Sequence, residues 1–341
     1  MNEADLNQAG IDSLSYEFKN QLINRLEIEE WTKRHPEILE QKIEAPIILA
    51  TLPRTGQTAA GWILDRDKNN RALYNWLTKR PVPPPLPDAE LEDPRLRELL
   101  LQKKKLPSEL ERMHLTDPRE PDECHFLISN AFRFPHQIYS MQVPSFYEWS
   151  INQADMSEAY AYYRRQLQLI QSKTPGQRWV LKNSPHLLHL DELNAALPGA
   201  RYVQFHRNPF AVIASNCHLT VVLRSMRSDN INKHDIGESI LRLLSDYVTR
   251  TLSFRDRQVS EPWVDINFES FVSNPAHEIE RIYDELGMTL SPDSYNNMKE
   301  WVTANPHDPK RPDLDLTEFG ISTKQVGKIF SEYCDRFKVQ M

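Results

Sequence analysis

The sequence predicts an α/β fold: a parallel β-sheet flanked by helices on both faces. Two observations carry this. Short apolar runs alternate with helical stretches along the chain, as strands buried between two helical layers require. The first run also enters a Pro/Gly turn and then a small-residue segment suited to start a helix. At 341 residues, 40 % hydrophobic and 26 % charged, the chain is long enough to bury a core of that size.

Residues 13–41 carry mixed charges and spaced apolar positions (Leu14, Phe18, Leu22, Ile23, Leu26, Ile28, Trp31), which predicts a helix broken before Pro36. Residues 1–44 are therefore expected to form a helical N-terminal extension, and 45–341 a single domain. The first strand is Pro46–Thr51, and 58–79 reads as helix. The stretch PVPPPLP at 81–87 must be extended or looped. Residues 90–175 read as mostly helical, so a large helical insertion is expected over about 66–177. A second strand, Arg178–Lys182, precedes a helix over 187–197. A third, Arg201–His206, leads into a helix over 209–224. The fourth, Pro262–Asn267, leads through FESFVSNP into a helix over 276–286.

The net charge of −7 argues against broad nucleic-acid binding, which needs a basic face, but leaves room for a small basic pocket. The N-terminus MNEADLNQAGIDSLSYEF lacks the basic and apolar regions of a signal peptide, and no run approaches the length of a membrane span. Cys124, Cys217 and Cys334 are scattered and form no zinc or disulfide pattern. The expectation is a reduced, cytoplasmic protein without a metal, its oligomeric state unreadable.

Residues 47–61, IILATLPRTGQTAAG, have the shape of a phosphate-holding loop at the carboxyl end of a strand. Gly56 lets the backbone turn around an anion, Thr55 and Thr58 offer hydroxyls, and Arg54 adds a permanent cation. The lysine that ATP-binding loops place after the last glycine is replaced by Gln57, and Thr51 stands where their first glycine would be. A triphosphate therefore fits poorly. A second unit, RYVQFHRNPFAVIAS, sets Arg207 at a strand end and Ser215 eight residues later, about two helical turns away. Arginine and hydroxyl converging there suit a phosphate monoester. Each unit taken singly could also be plain structure, a strand-to-helix turn or a sheet-edge ion pair. Together they suggest a ligand with two separated anionic groups.

These residues resemble the sulfotransferase family that uses 3′-phosphoadenosine 5′-phosphosulfate (PAPS). LPRTGQT is similar to that family's 5′-phosphosulfate loop, HRNPFAVIAS to its 3′-phosphate motif, NFESFVSNP to the family segment after that motif, and RWVLKNSPHLLHLDEL to the catalytic segment of the bacterial branch. PVPPP, ECHFLISNAFRF and LTEFGIS also resemble that branch, so the likeness spans roughly 45–340. It implies a P-loop-like sheet, PAPS as donor, 3′-phosphoadenosine 5′-phosphate (PAP) as product, and no metal. Two departures stand out: Gln57 replaces the usual threonine, and the proline of KNSPH sits one place later than usual.

The resemblance implies in-line sulfuryl transfer to a hydroxyl or amine of a small-molecule acceptor: an alcohol, phenol, sterol, lipid, sugar or alkaloid. Charge developing on the leaving phosphate calls for Arg54, Lys182 and the loop amides. A histidine suits the proton-accepting role, and His186, four residues after Lys182, is the first choice, with His136 and His125 behind it. The cofactor-binding set is Arg54, Thr55, Gly56, Gln57, Thr58, Arg207 and Ser215, with Lys310 and Arg311 for the basic loop that covers the nucleotide. His125, His136, Phe146 and Tyr147 are the acceptor-side candidates; Tyr139, Trp149 and Tyr160 are read first as packing. Two other readings remain: a non-catalytic PAP- or PAPS-binding protein of the same fold, and a P-loop kinase.

Overall fold

The computed structural model describes residues 3–87, 92–101, 109–110, 116–257, 260–306 and 315–341. Five strands form the sheet: β1 (Ile47–Leu49), β2 (Asn70–Ala72), β3 (Arg178–Lys182), β4 (Arg201–His206) and β5 (Trp263–Asn267). They lie in the order β2-β3-β1-β4-β5, every pairing parallel. The centre of the sheet is therefore β1, with Leu49 opposite Lys182 on one side and Val203 on the other.

Residues alternate between two buried layers, as the pleat demands. Ile47, Leu49, Val180, Val203, Phe205, Val264 and Ile266 face one layer with Ile63, Phe271, Ile279 and Ile282. Ile48, Trp179, Leu181 and Tyr202 face the other, with Tyr160, Tyr163, Leu193, Ile213, Leu244 and Phe330. Helices thus cover both faces, as expected of apolar strands with no solvated side.

Four strands sit where the apolar runs place them. The fifth, β2, corrects the helix expected over 58–79, which is a helix over Gln57–Leu64, then β2, then a helix over Asn75–Lys79. Asn-Arg-Ala has no apolar run to announce it. Its polar groups are met inside the fold: Asn70 Nδ2 donates to the Leu64 carbonyl at 2.8 Å, and Arg71 donates to the Thr174 carbonyl and Oγ1, each at 2.7 Å, with its guanidinium over Trp179.

The N-terminal helix runs over Gln8–Arg34 and is followed by a 3₁₀ turn over Pro36–Glu40. Between β2 and β3 come the helices Pro94–Leu101, His125–Ser129, Pro144–Asn152 and Met156–Gln171. The helix after β4, Pro209–Ser225, starts at Asn208, whose Oδ1 accepts from the Phe210 and Ala211 amides, with Pro209 pre-set for the first turn. Among the described residues, no helix is long and apolar enough to cross a membrane.

Sheet pairing of β1 ends at Leu49, yet β4 continues past it. The fully buried Thr51 side chain takes over: its Oγ1 donates to the Phe205 carbonyl at 2.8 Å and accepts from the Phe205 amide at 3.1 Å. Thr51→Val keeps the shape and removes both bonds. It is expected to lower unfolding free energy by about 1–3 kcal/mol, seen in urea as a lower midpoint at unchanged slope. An unchanged midpoint would show that the clamp contributes nothing.

Candidate active site at the strand ends

The loop after β1 turns through two left-handed residues, Arg54 (φ 68°) and Gly56 (φ 98°). Glycine meets no penalty there; arginine does, so the surroundings must hold it. They do so from the β4 unit. Arg207 Nη1 donates to the Arg54 carbonyl at 2.7 Å, and Arg54 Nε donates to Ser215 Oγ at 3.0 Å. The Arg207 guanidinium lies 4.1 Å above the Phe268 ring, on the helix after β5. The structure thus brings Arg54, Arg207 and Ser215 into one group, beside the N-terminus of the helix Gln57–Leu64 that opens at Gly56. Thr58, in the first turn of that helix, is half-buried.

Thr55 departs from expectation. It is fully buried, and its hydroxyl donates to the Leu52 carbonyl at 2.6 Å while touching Thr51 Oγ1 at 2.8 Å. The hydroxyl braces the loop from inside rather than facing a ligand. Gln57 is buried as well. Its Nε2 donates to Ser184 Oγ at 2.9 Å and approaches Glu123 Oε1 at 3.4 Å. The two departures noted in the sequence, Gln57 and the rearranged KNSPH segment, therefore meet in one contact.

A second group gathers around Glu123. Lys182, buried at the end of β3, places Nζ 3.9 Å from Glu123 Oε1, and its stem passes Gly61, where a Cβ would stand 3.3 Å from Lys182 Cδ. His125 Nδ1 lies 3.4 Å from Glu123 Oε2, and its ring stacks on His136 at 4.7 Å. His136 Nδ1 bonds Ser129 Oγ at 2.9 Å. Burial holds His136 well below the usual histidine pKa, helped by the charges of His125 and Arg227. Glu123 opens the stretch ECHFLISNAFRF, but that stretch assigns it no role; its position between Lys182, Gln57 and His125 does.

His186 sits in the 3₁₀ turn Ser184–Leu188 after β3, fully buried. Its Nδ1 bonds the Tyr160 hydroxyl at 2.9 Å, and burial pulls its pKa down to about 3. When Tyr160 donates to Nδ1, the ring proton sits on Nε2. Nε2 has no protein partner, nor has either side-chain atom of the buried Asn183. Buried polar atoms left unpaired are uncommon and costly, so this cluster is set apart from the packing around it. Tyr160, expected to serve as packing, is thus the residue that orients His186.

Phe146 and Tyr147 lie on the helix Pro144–Asn152. The Tyr147 hydroxyl donates to Asp246 Oδ2 at 2.7 Å, and Phe146 packs on Trp149. Among the described residues the hydrogen bond of Tyr147 and the ring contact of Phe146 are made away from the Glu123 and His186 groups. Lys310 and Arg311 lie outside the described residues. The three cysteines are buried and free, and no group of three or more metal-ligating side chains forms among the described residues.

Comparison with known proteins places this geometry. The model of the sulfotransferase family matches residues 46–292. The chain is similar to the sulfotransferase STF9 from Mycobacterium avium, with a TM-score of 0.91 and 27 % identity over 99 % of this chain and 88 % of that one. It is also similar to the sulfotransferase STF1 from Mycobacterium tuberculosis H37Rv, with a TM-score of 0.85 and 27 % identity over 97 % and 88 % of the two chains. No curated protein matches the chain.

The buried imidazoles make stability depend on pH. Burial holds His186 and His189 at pKa values of about 3, against 6.5 for an unburied histidine. Between those values the unfolded chain binds more protons than the folded one, so stability falls as pH drops through that window. Each histidine sets a slope on the order of 1.4 kcal/mol per pH unit. Urea midpoints are expected to fall steadily from about pH 6.5 to about pH 4.5, above the range where carboxylates protonate. A flat profile would show that these rings are not buried neutral.

Proposed function

The chain belongs to the sulfotransferase family, and from that membership we propose that it transfers a sulfuryl group from PAPS to a hydroxyl or amine of a small-molecule acceptor by in-line displacement. One observation carries the donor assignment. Arg54 at the end of β1 and Arg207 with Ser215 after β4 are joined by direct hydrogen bonds, beside a helix N-terminus. Two guanidiniums, a hydroxyl and the amides of that turn form a donor set for two anionic groups. PAPS has two, a 5′-phosphosulfate and a 3′-phosphate, and when bound it supplies the sulfuryl group and leaves PAP behind.

The chain's own residues then have distinct tasks. Arg54 and the amides at the start of Gln57–Leu64 would hold the phosphosulfate, and Arg207 with Ser215 the 3′-phosphate. Lys182 carries a nearly buried ammonium beside them, where it strengthens charge stabilisation in a low-dielectric site. Gln57 ties the loop to Ser184 and so fixes the spacing between the donor loop and the segment bearing His186. His186 is the first candidate to take the acceptor's proton.

Its surroundings favour a second candidate. A ring held at a pKa of about 3 is a weak base, and with Tyr160 donating to Nδ1 its buried Nε2 carries the proton and finds no acceptor among the described residues. Glu123 presents a carboxylate within reach of Lys182 and His125. In that arrangement Glu123 takes the proton and His186 donates to an oxygen of the reacting group.

Calorimetric titration with PAP and with ATP, joined to a turnover assay with PAPS and an acceptor panel, tests the proposal. PAP binding with turnover supports it; PAP binding without turnover with any acceptor supports the binder; ATP binding without PAP binding contradicts it. His186→Ala and Glu123→Gln assign the base: the residue whose loss lowers kcat by about 10²–10⁴ at unchanged PAP affinity holds the role. Gly61→Val is expected to push the Lys182 stem aside and lower kcat, with unfolding free energy reduced by about 1–3 kcal/mol, so that kcat is compared at a temperature where both proteins stay folded. Undiminished kcat would remove Lys182 from the reaction.

A further inference from the structure

A cavity lies at the far end of the helix that carries Ser215, away from the arginine–serine group. Its volume is about 320 Å³, and its wall includes Asp5, Met141, Arg224, Ile231, Asp235 and Ile236. Arg224 is nine residues beyond Ser215 on that helix, about 13 Å along its axis. It is 5 % exposed. Its Nη2 donates to the Ile138 carbonyl at 2.9 Å, and its Nε has no partner.

An arginine in that state is costly. It keeps its charge, and a buried charge without a counterion loses several kcal/mol of hydration that one carbonyl does not return. Among the described residues no carboxylate lies within ion-pair distance of it; Asp235 acts on it only through longer-range attraction. Burial lowers the Arg224 pKa to about 10, leaving it charged at neutral pH. The same wall holds two carboxylates, Asp5, which accepts from Asn230 Nδ2 at 2.6 Å, and the half-buried Asp235 in the first turn of the helix Lys233–Asp256. A simple anion would meet one cation and two acids there. A ligand with a carboxylate at one end and an ammonium at the other satisfies both.

We propose that this cavity binds a free α-amino acid with an apolar side chain. Its carboxylate pairs with Arg224 and its ammonium faces Asp235 and Asp5. The side chain lies against Met141, Ile231 and Ile236, and the volume accommodates one the size of leucine or methionine. The site is separate from the sulfuryl-transfer residues and stands whether or not that activity does.

Calorimetric titration of the full chain with L-leucine, L-methionine, 4-methylpentanoate and 3-methylbutylamine tests this. The two amino acids are expected to bind saturably at millimolar concentration or below, and the analogues lacking either charge to bind roughly tenfold or more weakly. Asp235→Asn, which exchanges a half-buried carboxylate for an amide of the same shape, is expected to weaken amino-acid binding by a similar factor, and Arg224→Gln to abolish it, with PAP affinity unchanged in both. Absence of saturable binding by either amino acid overturns the proposal. So does equal binding of 4-methylpentanoate, which would mark a plain anion site, or undiminished binding by the Asp235→Asn protein.

Discussion

The hydrogen bonds between the carboxyl ends of β1 and β4 are the constraint on which the rest depends. Because β1 pairs for only three residues, the sheet alone does not fix the loop beyond it. The Thr51 hydroxyl extends the pairing to Phe205, Arg207 fastens the Arg54 carbonyl, and Arg54 reaches back to Ser215. Arg54 is held in a left-handed conformation that costs an L-residue roughly 1–2 kcal/mol, and these bonds offset it. The loop and the arginine–serine unit therefore move as one body. A change in either strand end displaces both the loop and the arginine–serine unit, the two groups proposed to hold the two anionic ends of one ligand.

Beyond that body, the site divides electrostatically. Arginines crowd the loop side, and Lys182 and Glu123 form the boundary. On the far side stand His186, His189, Tyr160 and Tyr163, all buried. Burial lowers the imidazole pKa values to about 3 and raises the phenols well above their ordinary range, so all four groups are neutral near pH 7. Such a wall excludes water and strengthens every charge interaction at its edge. It also explains why a histidine placed beside the lysine need not behave as the neutral-pH base its residue type suggests.

Much of this is legible in the sequence, and the parts that are not have physical reasons. Four strands announce themselves as apolar runs because both their faces are buried. β2 does not, because Asn70 and Arg71 satisfy their polar groups against Leu64 and Thr174, contacts that no local pattern encodes. Arg54, Arg207 and Ser215 emerge from spacing within single strand–helix units, which sequence reports well. Gln57 and Ser184 are 127 residues apart, so their contact is visible in the sequence only as two separate oddities. Thr55 is read as a hydroxyl offered to an anion because it stands in the loop; the Leu52 carbonyl takes that hydroxyl instead. Tyr160 carries no motif, and the stretch that Glu123 opens gives it no role; the importance of both lies in what folding sets beside them.

The central claim is that the β1 loop and the β4 unit grip opposite ends of one nucleotide. It is tested most directly by comparing PAP with adenosine 5′-monophosphate, which lacks the 3′-phosphate, in the wild-type and Arg207→Ala proteins. Wild type is expected to bind PAP more tightly by roughly tenfold or more, the scale of one desolvated charge pair. Arg207→Ala is expected to erase that preference and, because Arg207 also fastens the Arg54 carbonyl, to weaken the monophosphate as well, but by less than PAP. Equal affinities in the wild type, or a preference that survives the substitution, would contradict the account.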